Sequence, residues 1–297
     1  MLLTIQNLNV CFGNFTALNM QTPIVIEEGD RIGVIGSNGA GKSTLIKSIL
    51  GLVPYEGRID TMLHKEDMAV HMQFNEYTDS MATRYIMEAI LQTKIAKNKE
   101  LQELIAFFEF EECLNKKYSK LSGGQKQRFT IIMVMMQNAP LTFYDEVTSG
   151  LDFETRQKLM EKLVEWYKNK SSSLCMVSHY YEELELLADK LLILDKGNVV
   201  AYGKKDELFQ QYCGRAVILF ERTKQNQKLV EGFSQIVAPA HLLAISCDSM
   251  KKEEEVVSIL LQNNVNYKRS NNDIEMIYMN AKAAFEKGQE EQGNETK

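Results

Sequence analysis

Apolar and polar positions alternate over residues 2–10, with Leu3, Ile5, Leu8 and Val10 apolar and one slip, which predicts a strand with one wet face. A second strand is predicted over 24–26. Glu28-Gly29-Asp30 is a turn signal, and the apolar run 31–35 behind it reads as a buried strand. Helical periodicity then takes over across 43–50 and stops at Gly51 and Pro54. Between 81 and 110 the pattern is again helical, with Ile86, Ile90, Leu101, Leu104, Ile105 and Phe108 as candidate buried positions, and a further helix opens at Leu121-Ser122-Gly123-Gly124-Gln125. Strand and helix alternate afterwards: strand 141–144, helix 152–169, strand 174–178, helix 181–188, then a hairpin of 191–194 and 199–201 around Lys196-Gly197-Asn198.

That order implies an α/β core with a mostly parallel sheet, an antiparallel β edge and a helical subdomain inserted at about 75–138. Beyond about Gly214 the character changes: 216–220, 244–247 and 274–279 read as short strands and 251–262 as an amphipathic helix, a small α+β appendage over 214–285. The polar residues 286–297 are expected to lack structure. No internal repeat is visible, so no second copy of the core is expected within the chain.

Composition narrows the function. A chain of 297 residues is long enough for a full core without disulfides or metals. Its net charge of -6 argues against a broad grip on nucleic acid, which needs clustered Lys and Arg. The five cysteines are scattered and contain no C-x-x-C pair, in keeping with a reducing cytoplasm rather than a disulfide framework or zinc site. No run reaches the roughly 18 apolar residues that span a bilayer, and the N-terminus carries no signal-peptide pattern.

The chemistry concentrates in a few places. Gly36-Ser37-Asn38-Gly39-Ala40-Gly41-Lys42-Ser43, followed by Thr44, stands between a predicted strand and helix, where small residues let backbone amides approach a triphosphate. Lys42 is expected to reach the β- and γ-phosphates and the Ser43 hydroxyl to ligate Mg²⁺. Asp145, at the end of a predicted buried strand, is placed to hold the metal through a water, and Glu146 beside it to polarise the attacking water. His179 ends a neighbouring strand on the same sheet edge, where an imidazole can bond the γ-phosphate. Ser122, Gly123 and Gly124 open a helix and offer a second anion-facing surface with no evident mate in the same chain. Met133, Met135 and Met136 are read as core, Trp166 as a helix anchor, the lysines of 94–99 as a solvated helix end, and His64, His71 and His241 carry no assigned role.

Taken in order, 36–43, Gln73, Leu121 to Gln125, Asp145-Glu146, Ser149-Gly150-Leu151-Asp152 and His179 resemble the Walker A, Q-loop, signature, Walker B, D-loop and switch-histidine motifs of ATP-binding cassette ATPases, over about residues 1–213. The resemblance implies a P-loop NTPase fold with ATP and Mg²⁺ as cofactors, Ser43, Gln73 and Asp145 near the metal, and Lys42, Glu146 and His179 in catalysis. It also implies that Phe12 stacks on adenine, with Phe15 as the near competitor, and that Gln125 joins Ser122 to Gly124 on the nucleotide of a second subunit. The implied partners are a second cassette, most simply another copy, and an integral-membrane permease, with the protein held at the inner face of the cell membrane. No nucleic acid is expected.

Within the family, the stretch from Asp189-Lys190-Leu191 to Tyr202-Gly203 and the C-terminal appendage look most like ATPases of drug, antimicrobial-peptide or ion exporters; a soluble ATPase acting on ribosomes, DNA or a protein-assembly machine is the alternative. Two features depart from the family pattern: Val147 stands where proline is usual after the Walker B glutamate, and the interval from Lys42 to Gln73 is short.

Overall fold

The computed structural model describes residues 1–72 and 77–295, with side chains as far as residue 291. Its first elements are β1 (Leu3–Phe12), β2 (Phe15–Met20), β3 (Ile24–Ile26), β4 (Arg31–Gly36), α1 (Lys42–Ile49), β5 (Glu56–Thr61) and β6 (Met68–His71). Helices α2 (Thr83–Ile90), α3 (Lys99–Phe107) and α4 (Gly123–Met136) follow, then β7 (Leu141–Asp145), α5 (Phe153–Tyr167), β8 (Ser173–Val177), α6 (Tyr181–Leu187), β9 (Lys190–Asp195) and β10 (Asn198–Lys204). β1 pairs antiparallel with β2, β3 and β5 in one sheet. The second sheet has the order β10-β9-β4-β8-β7-β6, parallel throughout except for β10 at its edge.

Residues of β7 and β8 are buried on both faces, as a parallel sheet covered on both sides requires. On one side Leu45 and Ile46 of α1 pack between Leu3 and Ile5 of the antiparallel sheet and Phe143 and Val177 of the parallel one. On the other, Phe129, Ile132 and Met133 of α4 and Leu159 and Leu163 of α5 cover Tyr144 and Met176. Each fully buried side chain of this size contributes about 1.5–3 kcal/mol, so this double coverage fixes the sheet on which the site is built.

Ile86, Leu101, Leu104, Ile105 and Phe108 are buried as expected, but Ile90 is 49% exposed. It sits on the last turn of α2 beside a shallow groove with Tyr77 and Met81, where nothing among the described residues covers it.

The C-terminal part comprises α7 (Lys205–Cys213), β11 (Ala216–Glu221), α8 (Lys224–Leu229), β12 (Gln235–Ile236), β13 (Leu242–Cys247), α9 (Met250–Gln262), β14 (Tyr267–Ser270) and α10 (Ile274–Glu295). Its sheet order β12-β13-β11-β14 with a βαββαβ connectivity is the split βαβ arrangement. Alternation along β11 serves both faces: Ala216, Ile218 and Phe220 join Val256 and Leu260 of α9, while Val217 and Leu219 join Phe209 of α7 and Ile277 of α10.

Residues 274–279, expected as a strand, form the first turns of α10, and the helix continues through residues expected to lack structure as far as Glu295. The reason is local. Asp273 accepts the Met276 amide at 3.1 Å in the manner of an N-cap, and buried Ile274, Ile277 and Ala281 recur at helical spacing. Beyond them Lys282 and Glu286 lie 3.9 Å apart at i,i+4, on a Glu- and Gln-rich tract of good helix formers.

Candidate functional site

Sheet register sets the geometry of the site. Val34 of β4 pairs with Val177 of β8, and Val177 pairs with Asp145 of β7, so all three parallel strands end on one edge. The turn carrying Lys42, the Asp145-Glu146 pair and His179 leaves the sheet there.

Between β4 and α1 the chain folds back so tightly that a Cβ on Gly36 would lie 2.4 Å from the Leu194 carbonyl oxygen. Gly41 adopts φ 99 just before α1, and a Cβ there would lie 2.4 Å from Leu18 Cδ2. No side chain caps this helix start, which leaves its first amides facing an open cleft lined by Asn38, Gly39, Ala40, Gly41, Lys42, Ser43 and Thr44. Lys42 is buried and donates to the carbonyls of Gly36 at 2.8 Å and Ser37 at 3.1 Å. Burial lowers its pKa, against the opposing pull of Glu146 and Asp145.

Asp145 is buried, which raises its carboxyl pKa; the Ser43 hydroxyl bond opposes that shift and the nearby Glu146 charge adds to it. Its Oδ1 has no hydrogen-bond partner. Glu146 has left-handed backbone at φ 52, an uncommon state for a residue with a Cβ, and its amide bonds the Val177 carbonyl at 3.1 Å. That geometry turns the carboxylate so that Oε1 lies 2.9 Å from His179 Nε2. Val147, in the place of the usual proline, is buried in the core, where its apolar side chain anchors the turn.

Glu183 is a contributor that the sequence reading missed. Its buried Oε2 accepts from Thr148, just past Glu146, at 3.0 Å and from Ser178, just before His179, at 2.6 Å. Arg156 approaches its Oε1 to 3.7 Å and stacks over the Tyr180 ring at 3.8 Å. One carboxylate on α6 therefore ties together the turns that carry Glu146 and His179. The available signal was its position four residues before buried Leu187, on the inward face of α6 among otherwise similar acids.

Phe12 and Phe15 face each other across the β1–β2 hairpin, are both exposed and both line the cleft. Ser122 caps α4 in a capping box, accepting the Gln125 amide at 3.3 Å while Gln125 Oε1 accepts the Ser122 amide at 3.1 Å. Ser122, Gly123 and Gly124 are exposed, a Cβ on either glycine would meet open space, and none of them lines the cleft around Lys42. Gln73 lies outside the described residues.

A model of the family described as ABC transporter matches residues 21–149. Over those residues the chain is similar to the ABC transporter family of ATP-binding cassettes. The methionine import ATP-binding protein of Corynebacterium diphtheriae is 33% identical over 214 residues, which are 66% of this chain and 63% of that protein. The linearmycin resistance ATP-binding protein of Bacillus subtilis is 26% identical over 279 residues, covering 88% of this cassette and 89% of that protein. Among solved structures, an ATP-binding subunit of an ABC transporter superposes with TM-score 0.63 at 24% identity over 71% of this chain and 93% of that one, and a dimeric bacterial ABC transporter cassette with TM-score 0.60 at 23% identity over 68% and 98%. These likenesses establish the fold. The cassette spans somewhat less than two thirds of the methionine-import relative.

The donor set fits a hard divalent cation: an orphaned carboxylate oxygen on buried Asp145 stands beside the Ser43 hydroxyl, and oxygen ligands of this kind suit Mg²⁺.

Proposed function

We propose that this cassette is the ATP-hydrolysing subunit of an exporter, working as a pair of copies that closes on ATP and drives a separate membrane permease. The observation that carries the proposal is the division of the site. Lys42, Asp145, Glu146 and His179 leave the sheet at one edge, where Lys42 and Glu146 line the cleft, whereas the exposed helix start at Ser122 to Gly124 does not line it; in this reading that helix start meets the nucleotide of another copy.

In this reading the amides at the start of α1 and Lys42 hold the phosphates, Phe12 stacks on adenine, and Ser122 to Gly124 of the facing copy close over the γ-phosphate. Ser43 and, through water, Asp145 would hold Mg²⁺, with Gln73 as the further ligand offered by the sequence, and the ion would supply neutralisation of phosphate charge there. Glu146 takes a proton from the attacking water, and His179 holds its Oε1 so that the carboxylate does not swing away. ATP favours the closed pair because it has contacts there that the open pair lacks, and loss of the γ-phosphate removes them.

Export is the direction that the likeness to the Nod factor export ATP-binding protein of Rhizobium sp. favours, 28% identical over 207 residues, and the likeness to the Bacillus subtilis linearmycin resistance protein covers 88% of this chain and so extends well into the part beyond residue 213. No helix among the described residues is long and apolar enough to cross a membrane; in this reading a separate permease forms the path for solute. The groove of Tyr77, Met81 and Ile86 with exposed Tyr85 and Ile90 offers an apolar seat for a cytoplasmic helix of that permease.

The test is purification of the full chain carrying Glu146→Gln from detergent-solubilised membranes with ATP. A co-purifying membrane protein and hydrolysis reduced about 10²–10⁴-fold are expected. Sedimentation with ribosomes in place of a membrane partner contradicts the transport reading, and hydrolysis at the parent rate contradicts the role given to Glu146.

A further inference from the structure

The phosphate loop is braced from behind by the end of β9, and that brace carries a buried charge. The carbonyl of Leu194 is the atom against which Gly36 packs, and in the turn after β9 the Gly197 amide bonds the Ala40 carbonyl at 3.2 Å. Between these two contacts stands Asp195, only 5% exposed, whose Oδ1 accepts from the Ser37 hydroxyl at 3.4 Å. Its ionic partner comes from the far end of the chain: Lys282 of α10 donates to the same oxygen at 3.1 Å. α10 is itself held by buried Ile274, Met276, Ile277 and Ala281, so Lys282 is presented from a fixed helix face, with its side chain 30% exposed.

A carboxylate buried against a triphosphate-binding loop is unfavourable twice over, through its own desolvation and through repulsion of the phosphates. An ammonium bonded to it relieves both. We infer that Lys282 is a positioning residue of the nucleotide site: by neutralising Asp195 it lets that carboxylate hold Ser37 in place, so that the docking of α10 sets the affinity of the phosphate loop for ATP. The inference rests on the nucleotide-site reading above. Its consequence is that the C-terminal part acts on ATP binding through one ion pair, and that anything which lifts α10 from the cassette loosens the loop.

The experiment uses the full chain and a fluorescent ATP analogue, with hydrogen exchange of amides 36–41 in the nucleotide-free protein as a second readout. Lys282→Met leaves the buried carboxylate uncompensated beside the phosphate loop and is expected to weaken nucleotide binding about tenfold or more. It should also speed exchange across the loop and raise KM with little change in kcat. Lys282→Arg should keep parent affinity. Adding Asp195→Asn to Lys282→Met should recover most of the loss, because the uncompensated charge is gone; this rescue separates a charge effect from a general loss of folding. Lys42→Ala serves as the control for the site itself. If Lys42→Ala weakens binding but Lys282→Met leaves both affinity and loop exchange at parent values, or if Asp195→Asn gives no rescue, the inference fails while the nucleotide site stands. Undiminished binding by Lys42→Ala overturns the site reading instead.

Discussion

Replacing Glu183 probes how the turns carrying Glu146 and His179 are held. In Glu183→Ala the hydroxyls of Thr148 and Ser178, each 3% exposed, lose their common acceptor. Ser178 Oγ accepts the Tyr180 amide at 3.0 Å, so its own proton is directed at Glu183, its acceptor among the described residues. Leaving a buried donor unsatisfied costs about 1–3 kcal/mol, and two of them, less the relieved cost of burying a carboxylate, give a net loss of about 3 kcal/mol. For a protein of this size that corresponds to a fall in Tm of about 6–12 °C.

Glu183→Gln keeps an acceptor oxygen and should lose about 1 kcal/mol or less. Hydrolysis should fall much further in the alanine variant than in glutamine, since only alanine frees the turns that bring Glu146 and His179 together. The pH dependence has a definite sign. Burial raises the Glu183 pKa above its ordinary 4.5, so the folded state holds this proton more tightly. The associated stability is complete below 4.5 and is lost as pH rises through the higher folded value. Glutamine has no proton to lose, so the stability of Glu183→Gln relative to the parent should improve across that rise. Thermal unfolding by circular dichroism over a pH series, paired with phosphate release, measures all of this. Alanine melting within about 1 °C of the parent, or glutamine as damaged as alanine, would refute the tether.

Gly41→Ala must adopt φ 99 with a Cβ 2.4 Å from Leu18 Cδ2 and 2.8 Å from the Ala17 oxygen. It is expected to lower Tm and abolish binding of the ATP analogue, with a left-handed backbone cost of about 1–2 kcal/mol before any clash; parent-like binding would show that the loop has another shape. Base stacking on an aromatic ring contributes about 1–3 kcal/mol, so Phe12→Ala should weaken ATP binding by that amount and Phe15→Ala by less. Titration of both variants decides between the two rings, and the reverse order would move the adenine to Phe15.

Much of the cassette was legible because its strands and loop announce themselves locally. The buried run ending at Ile35, the glycines behind it and the helix after Lys42 leave little choice of arrangement. What stayed hidden depends on tertiary context. β5 is a polar, mostly exposed partner of β1 with no alternation to detect, and β2 follows a tight hairpin in the same sheet. Residues 274–279 are apolar enough for either a strand or a helix, and only the Asp273 cap with buried Ile277 and Ala281 decides for α10.

Lys42, Ser43, Asp145, Glu146 and His179, which type and order single out in the sequence, lie at one edge of the sheet. Glu183 and Lys282 are not singled out in this way, because their roles come from a partner across the fold rather than from neighbours in the chain. The left-handed backbone of Glu146 likewise belongs to the turn as folded and leaves no trace in composition.

The division of the nucleotide site between two copies is tested most directly by mixing two inactive variants. Lys42→Ala removes the phosphate lysine, and Ser122→Arg blocks the exposed helix start; each variant alone has a defect in both sites of its pair. A mixed pair contains one site with both defects and one with neither. Phosphate release by the equimolar mixture, from two proteins that are silent separately, is the predicted result. A mixture as inactive as its components would contradict the shared site.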